Sequence, residues 1–253
     1  MRRHEFLAGL HRVVQPRRYF EIGVNKGASM RLSRAQSIGV DPAYNVVNEI
    51  RCDLHLARVS SDEFFARDDA LGHLDEPNVD LAFIDGLHFA EFALRDFINI
   101  EKICLPTSVV VIDDSNPRRI SEAARYRITT LWAGDVYKVV QVLREHRPDL
   151  TVFEVGTSGT GVAMILGVDA ASRVLHQVYD EIAVGLCTPD PQAVPQDVID
   201  RSRSVEPKRL LASNYWARLR AVREQRPDTG AVRRLIDESN LPAVLRSAAS
   251  ATG

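Results

Sequence analysis

The sequence predicts an α/β protein built on a Rossmann-like, doubly wound, mostly parallel sheet, and three observations carry that expectation. Apolar, β-branched runs alternate with helical patterns from Tyr19 to Asp113, the signature of strand–helix–strand units. Acidic turns close three of the strands, at Glu21-Ile-Gly-Val-Asn-Lys-Gly27, Ile84-Asp85-Gly86-Leu87-His88 and Val111-Ile112-Asp113-Asp114. Further on, Gly156-Thr-Ser-Gly-Thr-Gly161 joins two short apolar runs and reads as an antiparallel hairpin.

Each element has its own signal. Phe6, Leu7, Leu10, Val13 and Val14 fall at helical spacing, and Pro16 ends that helix. Tyr19–Gly23 is a short strand, followed by a glycine-bearing turn and a helix expected over 27–35. Ser37–Asp41 is a strand stopped by Pro42, and Asp62-Glu63 opens a helix with acids that suit its dipole. Val79–Asp85 reads as a buried strand, His88–Ile103 as a helix, and Ser108–Asp113 as the most β-branched strand. Gly134-Asp135 caps a helix to about Arg147, and Leu150–Val155 and Val162–Gly167 form the hairpin. From Asp169 onward the pattern is helical, interrupted by Pro189, Pro191 and Pro195. The division expected is a domain over 1–168 with a helical extension over 169–253 serving as lid, dimer contact or both. Its tail, Ser247–Gly253, is expected to fray.

Composition narrows the function classes. At 253 residues and 45% apolar content, the chain can bury one large core. No stretch reaches the roughly 18 apolar residues needed to span a bilayer, and the start lacks a signal peptide's apolar segment. Three cysteines, Cys52, Cys104 and Cys187, lack ligand-like spacing, so reduced cytoplasm is the expected compartment. A net charge of −2 argues against a nucleic-acid binder. Between Arg201 and Arg234, ten Lys/Arg stand against three acids, a local +7 that reads as a solvated helical face or a surface for an anionic partner.

In an open α/β sheet, ligands collect outside the carboxyl ends of the strands. Glu21-x-Gly23-x-x-x-Gly27 lacks the GxGxxG spacing of dinucleotide binders, so no pyrophosphate is required. Asp41, closing the next strand, is placed to accept hydrogen bonds from ribose hydroxyls. With Gly39-Val40-Asp41, Phe83-Ile84-Asp85-Gly86 and the late hairpin, the order resembles class I S-adenosylmethionine-dependent methyltransferases. That resemblance implies a seven-stranded sheet with a reversed last hairpin. It further implies that Glu21, Gly23 and Gly27 line the methionine end of S-adenosylmethionine, that Asp41 binds its ribose and that Ser61 and Asp62 lie near its adenine, with Asp85 beside the cofactor.

Asp85, Asp113 and Asp114 end two strands expected to be neighbours, and converging carboxylates need a positive charge between them. An oxygen-ligated divalent cation such as Mg²⁺ supplies it. Asp85-Gly86-x-His88 followed by Asp113-Asp114 is similar to the metal-dependent O-methyltransferases of macrolide sugars. This implies Mg²⁺ on Asp85, Asp113 and Asp114, with His88 or Asp85 as general base; His88 has an ordinary alternative as opener of the following helix. Trp132 is a candidate for stacking on a sugar ring and Asp135 for backing the metal, while Asn116 and Arg118 are candidate acceptor contacts.

The expected activity is therefore Mg²⁺-dependent methylation of a sugar or glycoside hydroxyl by a homodimer. An aromatic content of only 7% favours that acceptor over a catechol or phenol. A non-catalytic module that keeps the cofactor fold for assembly is the third possibility. Tyr215 and Trp216, in the basic extension, are candidates for burial against a partner subunit.

Overall fold

The computed structural model describes residues 1–249, with the side chains of 247–249 excepted. Seven strands form one sheet in the order β3-β2-β1-β4-β5-β7-β6. They are β1 (Arg18–Ile22), β2 (Gln36–Val40), β3 (Leu54–Ala57), β4 (Val79–Ile84), β5 (Cys104–Asp113), β6 (Thr151–Val155) and β7 (Val162–Leu166). β7 runs antiparallel to both neighbours, and the other pairings are parallel. This is the Rossmann-like order with a reversed final hairpin that the resemblance implied. The strand order reverses between β1 and β4, which places a crevice beyond their carboxyl ends.

Side chains alternate across each strand, so the sheet has two apolar faces. Phe20, Ile22, Ala82, Ile84, Val110 and Ile112 pack under α3 (Ala90–Glu101), α4 (Tyr137–His146) and α5 (Val174–Leu186). Tyr19, Leu81, Phe83, Val109 and Val111 face α1 (Arg3–Val14) on the other side. Of the other helices, α2 (Ser61–Phe65) follows β3, and α6 (Gln196–Ile199) is a single turn. The last four are α7 (Pro207–Leu211), α8 (Tyr215–Arg223), α9 (Thr229–Glu238) and α10 (Leu241–Ala249). These four share their apolar cluster with α1 and the sheet.

Residues from 169 onward thus serve both faces of the sheet. Tyr215 and Trp216 are each 1% exposed and lie inside this chain's own core, with Trp216 Nε1 donating to the Leu210 carbonyl at 2.7 Å. That corrects their expected burial against a partner. Burying one such side chain contributes about 1.5–3 kcal/mol, so α7 and α8 are fixed on the sheet. Part of the basic run is consumed here: Arg220 and Arg223 donate to the carbonyls of Val13, Val14 and Gln15, which end α1. Gly9 of α1 lies where a β-carbon would meet Leu211 Cδ1 at 2.5 Å, so α1 and α7 touch closely.

Two local expectations fail for physical reasons. The helix expected over 27–35 is only a 3₁₀ turn at Met30–Leu32. Ser33 and Ser37 bond the backbone of Ala35, and Ser29 donates to Glu21, so serine hydroxyls take groups a helix would use. β3 escapes the sequence reading because it is a half-buried edge strand of four residues. α10 keeps helical backbone through Ala249, and residues 250–253 of the expected frayed tail lie outside the described residues.

Candidate active site

Register sets the site. Ile22, Ile84 and Ile112 pair across β1, β4 and β5, so the turns after these strands stand side by side. Gly23 donates its amide to Val40 and Asp85 its amide to Ile22, each at 2.9 Å, which extends the ladder into the turns. Gly23 adopts φ +87°, and a β-carbon there would stand 1.8 Å from the Asp85 carbonyl oxygen. Only glycine permits that approach.

A cavity of about 380 Å³ opens over this contact, lined by Gly23, Asn25, Asp41, Ser61, Asp85 and His88, with Phe92 and Asp96 from α3. Asp41 accepts from the amides of Asn25 at 2.7 Å and Ala43 at 2.6 Å, which fixes its carboxylate at the rim. Asp62 lies outside the lining and pairs with Arg95 at 2.5 Å. Gly27 closes the turn on Val24 against Val46 and Ile50, also outside the lining. Glu21 is fully buried, accepting from Tyr19 at 2.7 Å and Ser29 at 2.6 Å. Burial pushes its carboxyl up to about 7, so it braces the turn from beneath.

A second cavity of about 620 Å³ adjoins the first and shares Asn25, Asp85 and His88 with it. The start of α1, loop residues 127–132 and hairpin residues 157–161 surround it. On its floor lie Asp85, Asp113 and Asp114. Alternation puts Asp113 on the same side of the sheet as Val109 and Val111, the α1 side. Asp114 adopts φ +61° and turns its carboxylate to His88 Nδ1, 3.2 Å away, while Thr160 donates to its other oxygen. Burial raises the pKa of Asp85 well above the usual carboxylate range, opposed by Arg3, and raises that of Asp114, opposed by His88.

The positive charge between these acids is the guanidinium of Arg3, from the first turn of α1. It pairs with Asp113 and, at 3.2 Å, with Asp85. Among the described residues, Asp85, His88 and Asp114 bring ligand atoms within 4.8 Å of one another. Asp113 stands outside that trio, held by Arg3.

His88 stacks on Trp132, with ring centroids 4.5 Å apart and planes 1° from parallel. Its Nδ1 lies 3.0 Å from the Trp132 carbonyl. A carbonyl only accepts, so Nδ1 carries the proton and Nε2 is left as an acceptor 3.9 Å from Asp85. α3 begins at Ala90 rather than at His88, and its capping carboxylate comes from Asp135, which accepts from the Ala90 amide at 2.8 Å. Asp135 is fully buried with Arg125 and Lys138, away from both cavities. Asn116 is buried against Gly161 and Arg118 pairs with Glu122, and neither lines the larger cavity. Trp132 does line it, with one ring face covered by His88.

Arg3, Asn25, Phe92 and Asp96 are site residues that the sequence reading missed. Arg2 and Arg3 place positive charge at the start of the helix, where the helix dipole disfavours it; that conflict was the available signal.

A family described as a methyltransferase domain matches residues 20–115, the stretch from β1 to the end of β5, which is less than half the chain. No curated protein matches the sequence. Among solved structures, a methyltransferase from Podospora anserina with bound SAH is 16% identical with a TM-score of 0.47, covering 64% of this chain and 76% of that one. The O-methyltransferase TomG from Streptomyces achromogenes, in complex with SAM, is 20% identical with a TM-score of 0.43, covering 64% and 78%. An O-methyltransferase from Bacillus cereus in complex with SAH is 17% identical with a TM-score of 0.45, covering 66% and 80%.

Proposed function

We propose that this chain is an S-adenosylmethionine-dependent O-methyltransferase acting on a hydroxyl of a sugar or glycoside. The observation that carries the reading is the junction of two cavities at Asp85 and His88. The smaller suits a nucleoside: Asp41 accepts from ribose hydroxyls, and Phe92 and Ser61 flank the adenine end. The larger holds the acceptor among threonine and serine hydroxyls and backbone groups of the hairpin, a lining suited to a polyol rather than a flat aromatic ring.

In the transfer, an acceptor oxygen forms a bond to the sulfonium methyl carbon as the S–CH₃ bond breaks, leaving the thioether S-adenosylhomocysteine. The hydroxyl proton passes to His88 Nε2, whose ring is oriented by the Trp132 carbonyl and Asp114. Holding both reactants in line supplies most of the acceleration in such a displacement, and the proton transfer adds about 10²–10⁴-fold.

The donor set also fits a divalent cation. The ligand atoms of Asp85, His88 and Asp114 lie within 4.8 Å of one another, near enough for side-chain rotation to bring each to about 2.0–2.6 Å from one ion. Those residues would hold the ion, which would lower the pKa of a bound hydroxyl; with His88 Nε2 then serving as a ligand, the proton would pass to a free Asp85 oxygen instead. A mixed oxygen and nitrogen set admits Mn²⁺ as readily as Mg²⁺.

The test is transfer of labelled methyl from S-adenosylmethionine to a panel of glycosides and catechols, with and without chelator. Labelled glycoside supports the reading, labelled catechol replaces the acceptor class, and no transfer to any hydroxyl compound contradicts it.

A further inference from the structure

Resting on the cation reading above, we propose that Arg3 is a built-in counter-ion that competes with the divalent cation for the Asp85 carboxylate, so that docking of the α1 terminus sets the metal affinity of the site. The guanidinium pairs with Asp85, one of the three residues that would hold the cation, and is anchored beside it by Asp113, which is 2% exposed and has no other charged partner among the described residues. Guanidinium and dication cannot both sit there, because like charges in a poorly solvated pocket repel strongly.

The α1 terminus is built to hold this residue in place and also to release it. The N-cap Arg2 and the first helical residue Arg3 stand against the helix dipole, offset in part by Glu5 in the same turn. The start is tied to the acceptor-side hairpin, where the Ser158 amide donates to the Met1 carbonyl at 2.9 Å. The far end is gripped by Arg220 and Arg223 of α8. A cation binding at Asp85 would expel the Arg3 side chain toward the larger cavity, whose wall includes Arg2, Arg3 and His4 of this same terminus. Metal loading and acceptor access are thereby linked through one side chain.

The experiment is calorimetric titration of Mn²⁺ into the full chain as wild type, Arg3→Gln and Arg2→Gln, with S-adenosylhomocysteine titrated into each in parallel. Arg3→Gln should tighten Mn²⁺ at least tenfold while Arg2→Gln stays near wild type. Hydrogen exchange supplies a measurement on the unaltered protein: amides of residues 3–6 should exchange faster when Mn²⁺ is saturating. Unchanged or weaker Mn²⁺ binding in Arg3→Gln, or unchanged exchange in the wild type, overturns the competition. If that happens while S-adenosylhomocysteine still binds, only this inference fails; loss of S-adenosylhomocysteine binding in the wild type would remove the methyltransferase reading itself.

Discussion

Gly134 lies so close to His88 that a β-carbon on residue 134 would stand 1.8 Å from the His88 carbonyl oxygen, and Gly134 holds φ +60°. The backbone before α4 therefore fixes the height of the histidine over the acidic floor. Gly134→Ala should cost at least about 2 kcal/mol, since it combines a positive φ with a backbone clash. Its kcat should fall more than its S-adenosylmethionine affinity, because the displaced group is the proposed base. Urea unfolding together with single-turnover rates would check both parts.

Asp41 governs the other cavity. Asp41→Ala should weaken S-adenosylmethionine about 10- to 100-fold, the size of a lost charge-assisted hydrogen bond pair, with kcat at saturating cofactor changed little. Asp114→Asn, which alters the partner that orients His88, should do the reverse, strongly lowering turnover with cofactor affinity mostly intact. Equal effects on both quantities in either variant would contradict the division of roles.

Asp96 makes folding stability depend on pH. Burial, the largest influence, raises its carboxyl to about 7 from an ordinary 3.8, with Ser61 opposing. The folded state therefore holds a proton that the unfolded state has released, and stability falls as pH rises from about 4 to about 7. Asp96→Asn removes that dependence. Relative to wild type, its melting temperature should be higher at pH 8 than at pH 5; an identical difference at both values would show that Asp96 is ionised in the fold.

Arg223 links the C-terminal helices to α1 and the sheet. It is 4% exposed, donates to the carbonyls of Val14 and Gln15, and lies 3.5 Å from buried Asp80. Arg223→Met leaves that carboxylate with less compensation and should cost about 3 kcal/mol. Arg234, exposed on α9, should cost no more than about 0.5 kcal/mol when changed to Met. Chemical denaturation of the two variants distinguishes a structural role for this basic region from a solvated one.

Local chemistry made the sheet readable. β1, β4 and β5 are mostly apolar runs ending in acidic turns, and their near-continuous burial is that of strands covered on both faces. The turns at Gly23 and Asp41 were legible because each closes its own strand, Gly23 after β1 and Asp41 after β2. Contacts made across the fold were not. Asp135 reads as the cap of the helix that follows it, yet it caps α3, 45 positions earlier in the chain. Arg220 and Arg223 read as part of a solvated basic face because nothing local shows that the end of α1 awaits them. Arg3 belongs to the same class, since its partners lie more than 80 residues away and only the unfavourable charge in its helical turn hints at them.

The most direct measurement is a crystal structure of the full chain with S-adenosylhomocysteine bound. The account expects the ribose hydroxyls on Asp41 and the thioether sulfur opening between Asp85 and His88 into the larger cavity. A nucleoside bound elsewhere, or a sulfur facing away from that junction, would contradict it.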